Sequence, residues 1–272
     1  SRPDASIWCS DPTWSNHFGI FDAVGVTYNK YRYQYESNIV DLDKIKSDLS
    51  MAKEGDIVLL HGCCHNPSGV DLLSDQWKNL FQFMKENKLI PFFDIAYDGF
   101  SKNHGDDRWS FNYAYEMFEV VFLSYSFSKI LGLYGERSGG LLIKAPDKKS
   151  NLLLKKLVRS TYSNPPVSSV KVTNLILESS ELQAVWHEEL ATSRERLVHI
   201  RNTFQNLLTE HGSKICHLKG QRGLFSLLDL SIEDVHQLRN EYGIYLLDNG
   251  RANLAGLNPS NVNYVANAIA NL

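Results

Sequence analysis

The stretch DIVLLHGC at residues 56–63 decides the fold class, because its apolar run predicts a buried strand that ends in polar residues. A helical pattern starts at about Ser74, with large apolar residues at positions 77, 80, 81 and 84 on one helix face. Further strands are predicted from Leu89 to Asp94 and from Val120 to Tyr125. Apolar strands that alternate with amphipathic helices predict an α/β fold, a mostly parallel sheet with helices on both faces.

The second half of the chain has a different pattern, because helices dominate it from about Lys148. Three helices are predicted there, at Lys148 to Arg159, Val167 to Glu178 and Glu181 to about His211. After them we expect a strand at Phe225 to Asp229, a helix begun by Ser231, a strand at Ile244 to Leu247 and a last helix after Pro259. We therefore expect a large domain over residues 1–190 and a smaller α+β domain over residues 191–272.

Composition and charge exclude several classes of protein. The chain has 272 residues, of which 43% are apolar and 22% are charged, as in folded globular proteins. Twenty-eight basic and 31 acidic residues give a net charge of −3, so no nucleic-acid partner is expected. No apolar run is long enough to cross a membrane. Residues 1–10 resemble no signal peptide and the four cysteines form no metal-binding motif, so we expect no metal and a cytoplasmic location, with an organelle as the alternative.

Polar residues follow the predicted strands at the sheet edge where α/β proteins bind ligands. They are His61, His65, Asn66, Asp94, Tyr97, Ser124, Ser126, Ser128 and Lys129. The apolar surroundings of Lys129 favour a lowered pKa and a nucleophilic amine, and Arg137 with the nearby serines suits a phosphate. A solvated lysine and a surface arginine are the alternative for each residue alone. The combination with Asp94 favours pyridoxal phosphate, which needs an acid, an amine and a phosphate site.

Several ordered sequence blocks resemble one known family. They are DPTWSNH at 11–17, HGCCHNPSG at 61–69, FFDIAY at 92–97, SFSKILGLYGER at 126–137, SNPP at 163–166 and NGRANLAG at 249–256. From residue 11 to the end, the chain resembles the class I aspartate aminotransferases, which are fold-type I pyridoxal phosphate enzymes. In this family the chain extends further at the amino end, so we expect a segment of the family to be missing here.

The resemblance implies a role for each matching residue. It makes Lys129, Asp94 and Tyr97 catalytic: Lys129 forms a Schiff base with pyridoxal phosphate and then transfers protons, and Asp94 pairs with the pyridine nitrogen. Tyr97 and Asn66 would hydrogen-bond the 3′ oxygen of the cofactor. The cofactor-binding residues that it implies are Trp14, Asn66, Asp94, Tyr97, Ser126, Ser128, Lys129 and Arg137. His17 and His61 are expected behind Asp94.

The resemblance also implies the substrates. Arg251, with Asn66, would bind the α-carboxylate of the substrate, and Arg159 would reach the side-chain carboxylate from the neighbouring subunit of a homodimer. The expected reaction is transamination between aspartate or glutamate and 2-oxoglutarate or oxaloacetate. Two alternatives stay open: an aromatic-preferring aminotransferase of the same class, and a non-catalytic remnant that only binds a partner.

Overall fold

The computed structural model describes residues 4–36, 38–146, 150–215 and 217–272. Its strands are β1 Ile7–Asp11, β2 Tyr28–Arg32, β3 Tyr35–Glu36, β4 Ile39–Val40, β5 Ile57–His61, β6 Ile90–Ile95, β7 Val121–Ser126, β8 Gly139–Lys144, β9 Phe225–Leu227 and β10 Arg251–Asn253. Its helices are α1 Asn16–Val24, α2 Leu42–Leu49, α3 Ser74–Glu86, α4 His104–Asp107, α5 Trp109–Met117, α6 Ser150–Thr161, α7 Ser168–Glu178, α8 Ser180–Glu210, α9 Ile232–Tyr242 and α10 Val262–Ala270, with a short 3-10 helix at Leu254–Gly256.

A six-stranded sheet with the order β2-β1-β5-β6-β7-β8 forms the first part of the molecule. Its strands pair in parallel except β8, which is antiparallel to β7. The register sets His61 beside Asp94, and Asp94 beside Ser124. The carboxyl ends of the parallel strands therefore lie along one edge, which brings the predicted polar residues together.

Both faces of the sheet are covered, because apolar side chains alternate between two clusters along each strand. Leu59 and Phe92 lie on the face that packs against Phe21 of α1. The opposite face presents Phe93, which packs near Phe81 of α3. The helix pattern predicted from residue 74 is confirmed, since the apolar residues at positions 77, 80, 81 and 84 are all buried. The predicted fold class, a mostly parallel sheet with helices, is confirmed.

The later elements follow the prediction in part. Helix α9 begins after Ser231 as expected: the Ser231 hydroxyl accepts the Asp234 amide at 3.1 Å, and the Asp234 carboxylate accepts the Ser231 amide at 2.8 Å. Helices α6, α7 and α8 match the three predicted helices to within a few residues, although Lys148 lies outside the described residues.

The strand predicted at Ile244 to Leu247 is wrong. Gly243 takes a left-handed conformation at the end of α9, and the Ile244 amide bonds back to the Leu238 carbonyl. Ile244 and Leu246 then pack against the second apolar core without pairing to a strand, so their alternation reflects packing. The partner of β9 is instead β10, Arg251–Asn253.

The described residues bury two main apolar cores, and α8 contributes to both. Leu190 and Leu197 of α8 belong to the core of the sheet, whereas Ile200 and Phe204 belong to the core formed with α9 and α10. This change of partners along α8 is consistent with two domains that meet near residue 190, and that boundary stays a prediction.

No helix in the described part of the chain has both the length and the apolar character that a membrane crossing requires. Cys9, Cys63 and Cys64 are buried free thiols, and Cys216 lies outside the described residues.

Asp56 ties the start of β1 to the start of β5. Its carboxylate accepts hydrogen bonds from the Trp8 indole at 3.0 Å and from the Ser6 and Lys53 amides at 2.9 Å each. Burial by itself raises the pKa of Asp56, but these hydrogen bonds and the Lys53 charge outweigh it and lower the pKa. The ionised form therefore stabilises the junction of these strands.

We expect Asp56→Asn to lower the free energy of unfolding by about 1–3 kcal/mol at pH 7, because one oxygen acceptor is replaced by a donor. A carboxyl with a lowered pKa stabilises the fold above its unfolded pKa of about 3.9, and this stabilisation is lost as the pH falls through the lower folded pKa. Urea unfolding from pH 7 to pH 3 should therefore show the two proteins converging at acid pH. Asp75→Asn is the control, since exposed Asp75 forms an ion pair with exposed Lys78 on the surface of α3; an equal loss in both variants contradicts the role of Asp56.

Candidate active site

The amine of Lys129 lies in the loop after β7, at the polar edge of the sheet. Its Nζ atom is 5.4 Å from the centre of the Tyr97 ring and 5.2 Å from that of the Tyr134 ring. Burial lowers the pKa of Lys129 most strongly, Arg137 lowers it further, and Asp94 opposes the shift. The amine is therefore more often neutral, and so more nucleophilic, than that of an exposed lysine.

Asp94 lies next to the last residue of β6 and interacts electrostatically with the Lys129 amine, and His17 contacts one of its two oxygens. His17 Nε2 lies 3.2 Å from Asp94 Oδ2, so His17 is behind Asp94 as expected. Burial by itself raises the pKa of Asp94, but the hydrogen bond from His17, the nearby His61 ring and the Lys129 charge lower it. No described residue donates a hydrogen bond to Oδ1, so this oxygen of the ionised carboxylate can accept one from a ligand.

A chain of hydrogen bonds fixes the direction in which His17 donates. His61 Nδ1 accepts the Asn66 amide at 3.0 Å, so the proton of neutral His61 is on Nε2, which lies 3.3 Å from Thr13 Oγ1. The Thr13 hydroxyl then donates to His17 Nδ1 at 3.0 Å, which leaves His17 Nε2–H to donate to Asp94. Burial lowers the pKa of His61 well below its usual value, in agreement with a neutral ring.

The same three side chains are close enough to bind one metal ion, since ligand atoms of His17, His61 and Asp94 lie within 4.8 Å of one another. Both nitrogens of each histidine already take part in hydrogen bonds, with Thr13, Asn66 or Asp94. A metal would have to displace these bonds, so the arrangement favours orientation of Asp94 over metal binding.

Arg251, Asn66 and Tyr97 form a further part of the site. Arg251 Nη1 donates to Asn66 Oδ1 at 3.0 Å, and its guanidinium carbon is 4.4 Å from the centre of the Phe225 ring. Tyr97 is buried, and burial with the nearby Asp94 charge raises its pKa, so its phenol keeps its proton. These contacts join β10 of the second half of the chain to the edge of the sheet.

The predicted phosphate ligands lie in the segment around Lys129. Ser126 Oγ accepts the Ser128 amide at 3.2 Å, and Ser128 is buried. Arg137 is exposed, has a left-handed backbone and donates to the Tyr134 carbonyl at 2.9 Å. Trp14 is half-buried and meets the His17 ring edge-on, with centres 5.2 Å apart. Ser126, Ser128 and Arg137 thus lie within eight residues of Lys129 in the chain, and Trp14 contacts the histidine that bonds to Asp94.

Arg159 is the predicted site residue that the described contacts do not bring to this group. It is exposed near the end of α6, where its side chain donates to the Ser163 hydroxyl. Its predicted role concerns the site of a neighbouring subunit, so the role stays a prediction.

Sequence reasoning missed three residues of the site. Thr13 bridges two histidines, Tyr134 lies beside the lysine amine, and Phe225 lies under the arginine guanidinium. Thr13 and Tyr134 lie inside the quoted sequence blocks, so their position could have identified them. Phe225 carries no local signal, because only the pairing of β9 with β10 brings it to Arg251.

We expect Asp94→Asn to lower the pKa of Lys129 further, because the charge that raises it is removed. The measurement is the rate at which trinitrobenzenesulfonate labels Lys129 in cofactor-free protein at different pH values, followed by peptide mass spectrometry. The pH at which labelling of Lys129 reaches half of its maximal rate should be lower than in the wild-type protein. Asp11→Asn is the control, because it removes one charge from the end of neighbouring β1. An unchanged midpoint in Asp94→Asn would show that the two groups are not coupled.

Comparisons with known proteins agree with this geometry. The family "Aminotransferase class I and II" matches residues 1–269. An aspartate aminotransferase from Haemophilus influenzae is 37% identical over 271 residues, which are 97% of this chain and 68% of the relative. An aromatic-amino-acid aminotransferase from Pseudomonas aeruginosa is 38% identical over 277 residues, which are 98% of this chain and 69% of the relative.

Solved structures give the same result. The aromatic-amino-acid aminotransferase from Burkholderia pseudomallei, covalently bound to pyridoxal phosphate, superimposes with a TM-score of 0.93 at 38% identity, covering 99% of this chain and 69% of that one. The cofactor expected from the sequence is thus the one bound in this similar structure. The resemblance is confirmed, and this chain belongs to the class I and II aminotransferases.

Proposed function

We propose that this aminotransferase uses pyridoxal phosphate to transfer an amino group between aspartate or glutamate and 2-oxoglutarate or oxaloacetate. One observation supports the proposal most strongly. The half-buried amine of Lys129 has a lowered pKa and lies at the same edge of the sheet as the ionised Asp94 carboxylate. His17 bonds to Oδ2 of Asp94, and no described residue donates to Oδ1. An amine and an acid at one edge are the two groups that an aldehyde-bearing pyridine ring requires.

The chemistry of the donor set fits pyridoxal phosphate. Asp94 offers an anionic acceptor for a protonated pyridine nitrogen, and Lys129 offers a nucleophile for the aldehyde. Tyr97 and Asn66 offer a phenol and an amide for the 3′ oxygen. When bound, the cofactor supplies an electron-withdrawing ring that stabilises negative charge at the substrate's α-carbon.

The protein's own groups then divide the work. Lys129 would hold the cofactor through its aldehyde group, and its amine, once free, would move a proton from the substrate's α-carbon to C4′ of the cofactor. His17 keeps the Asp94 carboxylate oriented through the bond to Oδ2. Ser126, Ser128 and Arg137 bind the phosphate through hydroxyl and guanidinium donors. Trp14 stacks on the ring.

Arg251 binds the substrate α-carboxylate in this proposal. Its guanidinium is already oriented by the Asn66 amide oxygen and by the Phe225 ring, and burial lowers its pKa, so it is less solvated than a surface arginine. A planar guanidinium that is held in place makes paired hydrogen bonds to a carboxylate at a small entropic cost. The amide nitrogen of Asn66 adds a further donor.

Arg159 supplies the preference for dicarboxylic substrates, by binding the side-chain carboxylate in the site of a partner subunit. A homodimer is supported by large apolar side chains that α6 and α7 leave exposed. They include Leu152, Leu153, Leu157, Val170, Val172 and Leu175, each more than 40% exposed. The buried free thiols support a reducing compartment, and we propose the cytoplasm.

An aromatic-preferring aminotransferase is the second candidate. The observation that favours it is that relatives named for aromatic and for aspartate substrates have similar identity, 38% and 37%. Arg251 serves both substrates equally, because each has an α-carboxylate. The two candidates therefore differ in what Arg159 contributes.

We expect Lys129→Ala to lower the rate of amino transfer by about 10⁴-fold, because the covalent attachment and the proton transfer are both lost. The measurements are oxaloacetate formation from aspartate and the absorbance change of protein with pyridoxal phosphate when aspartate is added. Lys78→Ala is the control, since Lys78 is exposed on α3. A folded wild-type chain that neither binds the cofactor nor transfers an amino group contradicts the proposal and favours a partner-binding role.

We expect Arg159→Ala to lower kcat/KM for aspartate by about 10²-fold and to change kcat/KM for phenylalanine by less than about twofold. Of these two amino acids, only aspartate has a second carboxylate that Arg159 can pair with. Lys156→Ala removes a charge from the same helix and is the control. Equal losses for both amino acids would show that Arg159 does not select dicarboxylic substrates and would favour the aromatic candidate.

A further inference from the structure

The segment that carries Lys129 is anchored on both sides by side chains that lie outside the site. Before it, the Tyr125 hydroxyl donates to Asp98 Oδ2 at 2.5 Å. After it, the indole of Trp186 donates from Nε1 to the carbonyl oxygen of Ile130 at 2.6 Å. One hydrogen bond therefore holds the side chain four residues before Lys129, and the other holds the backbone carbonyl one residue after it.

Asp98 is fully buried, and nitrogen atoms of two further side chains lie close to the oxygen that accepts the Tyr125 hydroxyl. Besides Tyr125, His104 Nδ1 lies 2.9 Å and Arg108 Nε lies 3.1 Å from Oδ2. Burial raises the pKa of Tyr125 first, and the Asp98 charge adds to it, so the phenol stays protonated and can donate. Asp98 directly follows Tyr97, so this network starts from the strand end that also carries Asp94.

His104 joins the anchor at Asp98 to the anchor at Trp186. Its ring centre is 4.6 Å from the ring of Trp186 on α8. Farther along the same face of α8, Arg194 Nη1 donates to the Gly99 carbonyl at 2.8 Å. Leu190 packs so closely on Gly99 that an added Cβ would lie 2.5 Å from its Cδ2. Helix α8 thus holds the loops after β6 and after β7 together.

We propose that Asp98, His104, Tyr125 and Trp186, which we call the anchor cluster, position the Lys129 amine for its reaction. They are positioning residues, because they act through the backbone on either side of Lys129. This inference rests on the proposed function. It means that α8, through Trp186, helps to hold the reacting amine in place.

A buried polar network contributes little net stability, but it holds its members in one arrangement. Removing a carboxylate such as Asp98 from water costs free energy that a well-packed apolar residue would not. The Tyr125 donor comes from β7, and the nearby cationic groups come from His104 of α4 and from Arg108, which follows α4, so Asp98 links these elements. Misplacing a reacting group by 1 Å can cost about 10²-fold in rate.

The test uses Trp186→Phe and Tyr125→Phe, which each keep an aromatic ring and remove one donor. In cofactor-free protein, the midpoint for labelling of Lys129 by trinitrobenzenesulfonate should move to higher pH, because a loosened amine becomes better solvated. Asp94, Arg137, Tyr97 and Tyr134 face the amine and are unchanged. In holoenzyme, kcat for aspartate should fall about tenfold, with KM within about twofold.

Trp77→Phe is the matched control. Trp77 lies in α3 and packs against Phe81 and Phe93 in the same apolar core, so its loss lowers stability without touching the segment of Lys129. The melting temperature should fall in all three variants, and the labelling midpoint should move only in Trp186→Phe and Tyr125→Phe.

The proposal is overturned if the labelling of Lys129 keeps its wild-type midpoint pH in both variants while their melting temperatures fall as in Trp77→Phe. It is also overturned if the midpoint moves equally in the control. Labelling is measured without cofactor, so it decides this question even for a chain that fails to bind pyridoxal phosphate. That failure would contradict the proposed function alone.

Discussion

The hydrogen bond between His17 and Asp94 holds a negative charge at the carboxyl end of β6, and the other polar groups of the site are arranged around that charge. A partly buried carboxylate stays ionised only where donors and positive charges compensate its loss of water. Here the compensation comes from α1, from the His61 side chain and from Lys129. The parallel sheet makes this compact arrangement available, because it gathers the ends of neighbouring strands at one edge.

The two sides of the site come from distant parts of the chain. Lys129 and Asp94 belong to the sheet, whereas Arg251 lies on β10 and reaches Asn66 across 185 residues of sequence. An acid-base pair on one side and an oriented guanidinium on the other suit an amino acid, which needs chemistry at its α-carbon and recognition at its carboxylate. The relatives carry names of both aspartate and aromatic enzymes, and both kinds of substrate have the α-carboxylate that a planar guanidinium can pair with.

The sequence predicted the sheet and much of the site because the informative signals are local. An apolar run followed by Asp94, and another followed by Lys129, identify strand ends without knowledge of the strand order. The strand predicted at Ile244 was wrong because alternating apolar residues can pack on a core in the same pattern as in a strand. Trp186 could not be predicted to contact Ile130, because no local pattern records a hydrogen bond between residues 56 positions apart.

If Lys129 is the amine that bonds to pyridoxal phosphate, borohydride reduction should fix the cofactor at that residue. The protein is incubated with pyridoxal phosphate, reduced, digested and analysed by peptide mass spectrometry. We expect one modified lysine per chain, at Lys129, and we expect an excess of a competing amine to suppress the modification. Modification confined to exposed lysines such as Lys78, in protein that is demonstrably folded, would contradict it.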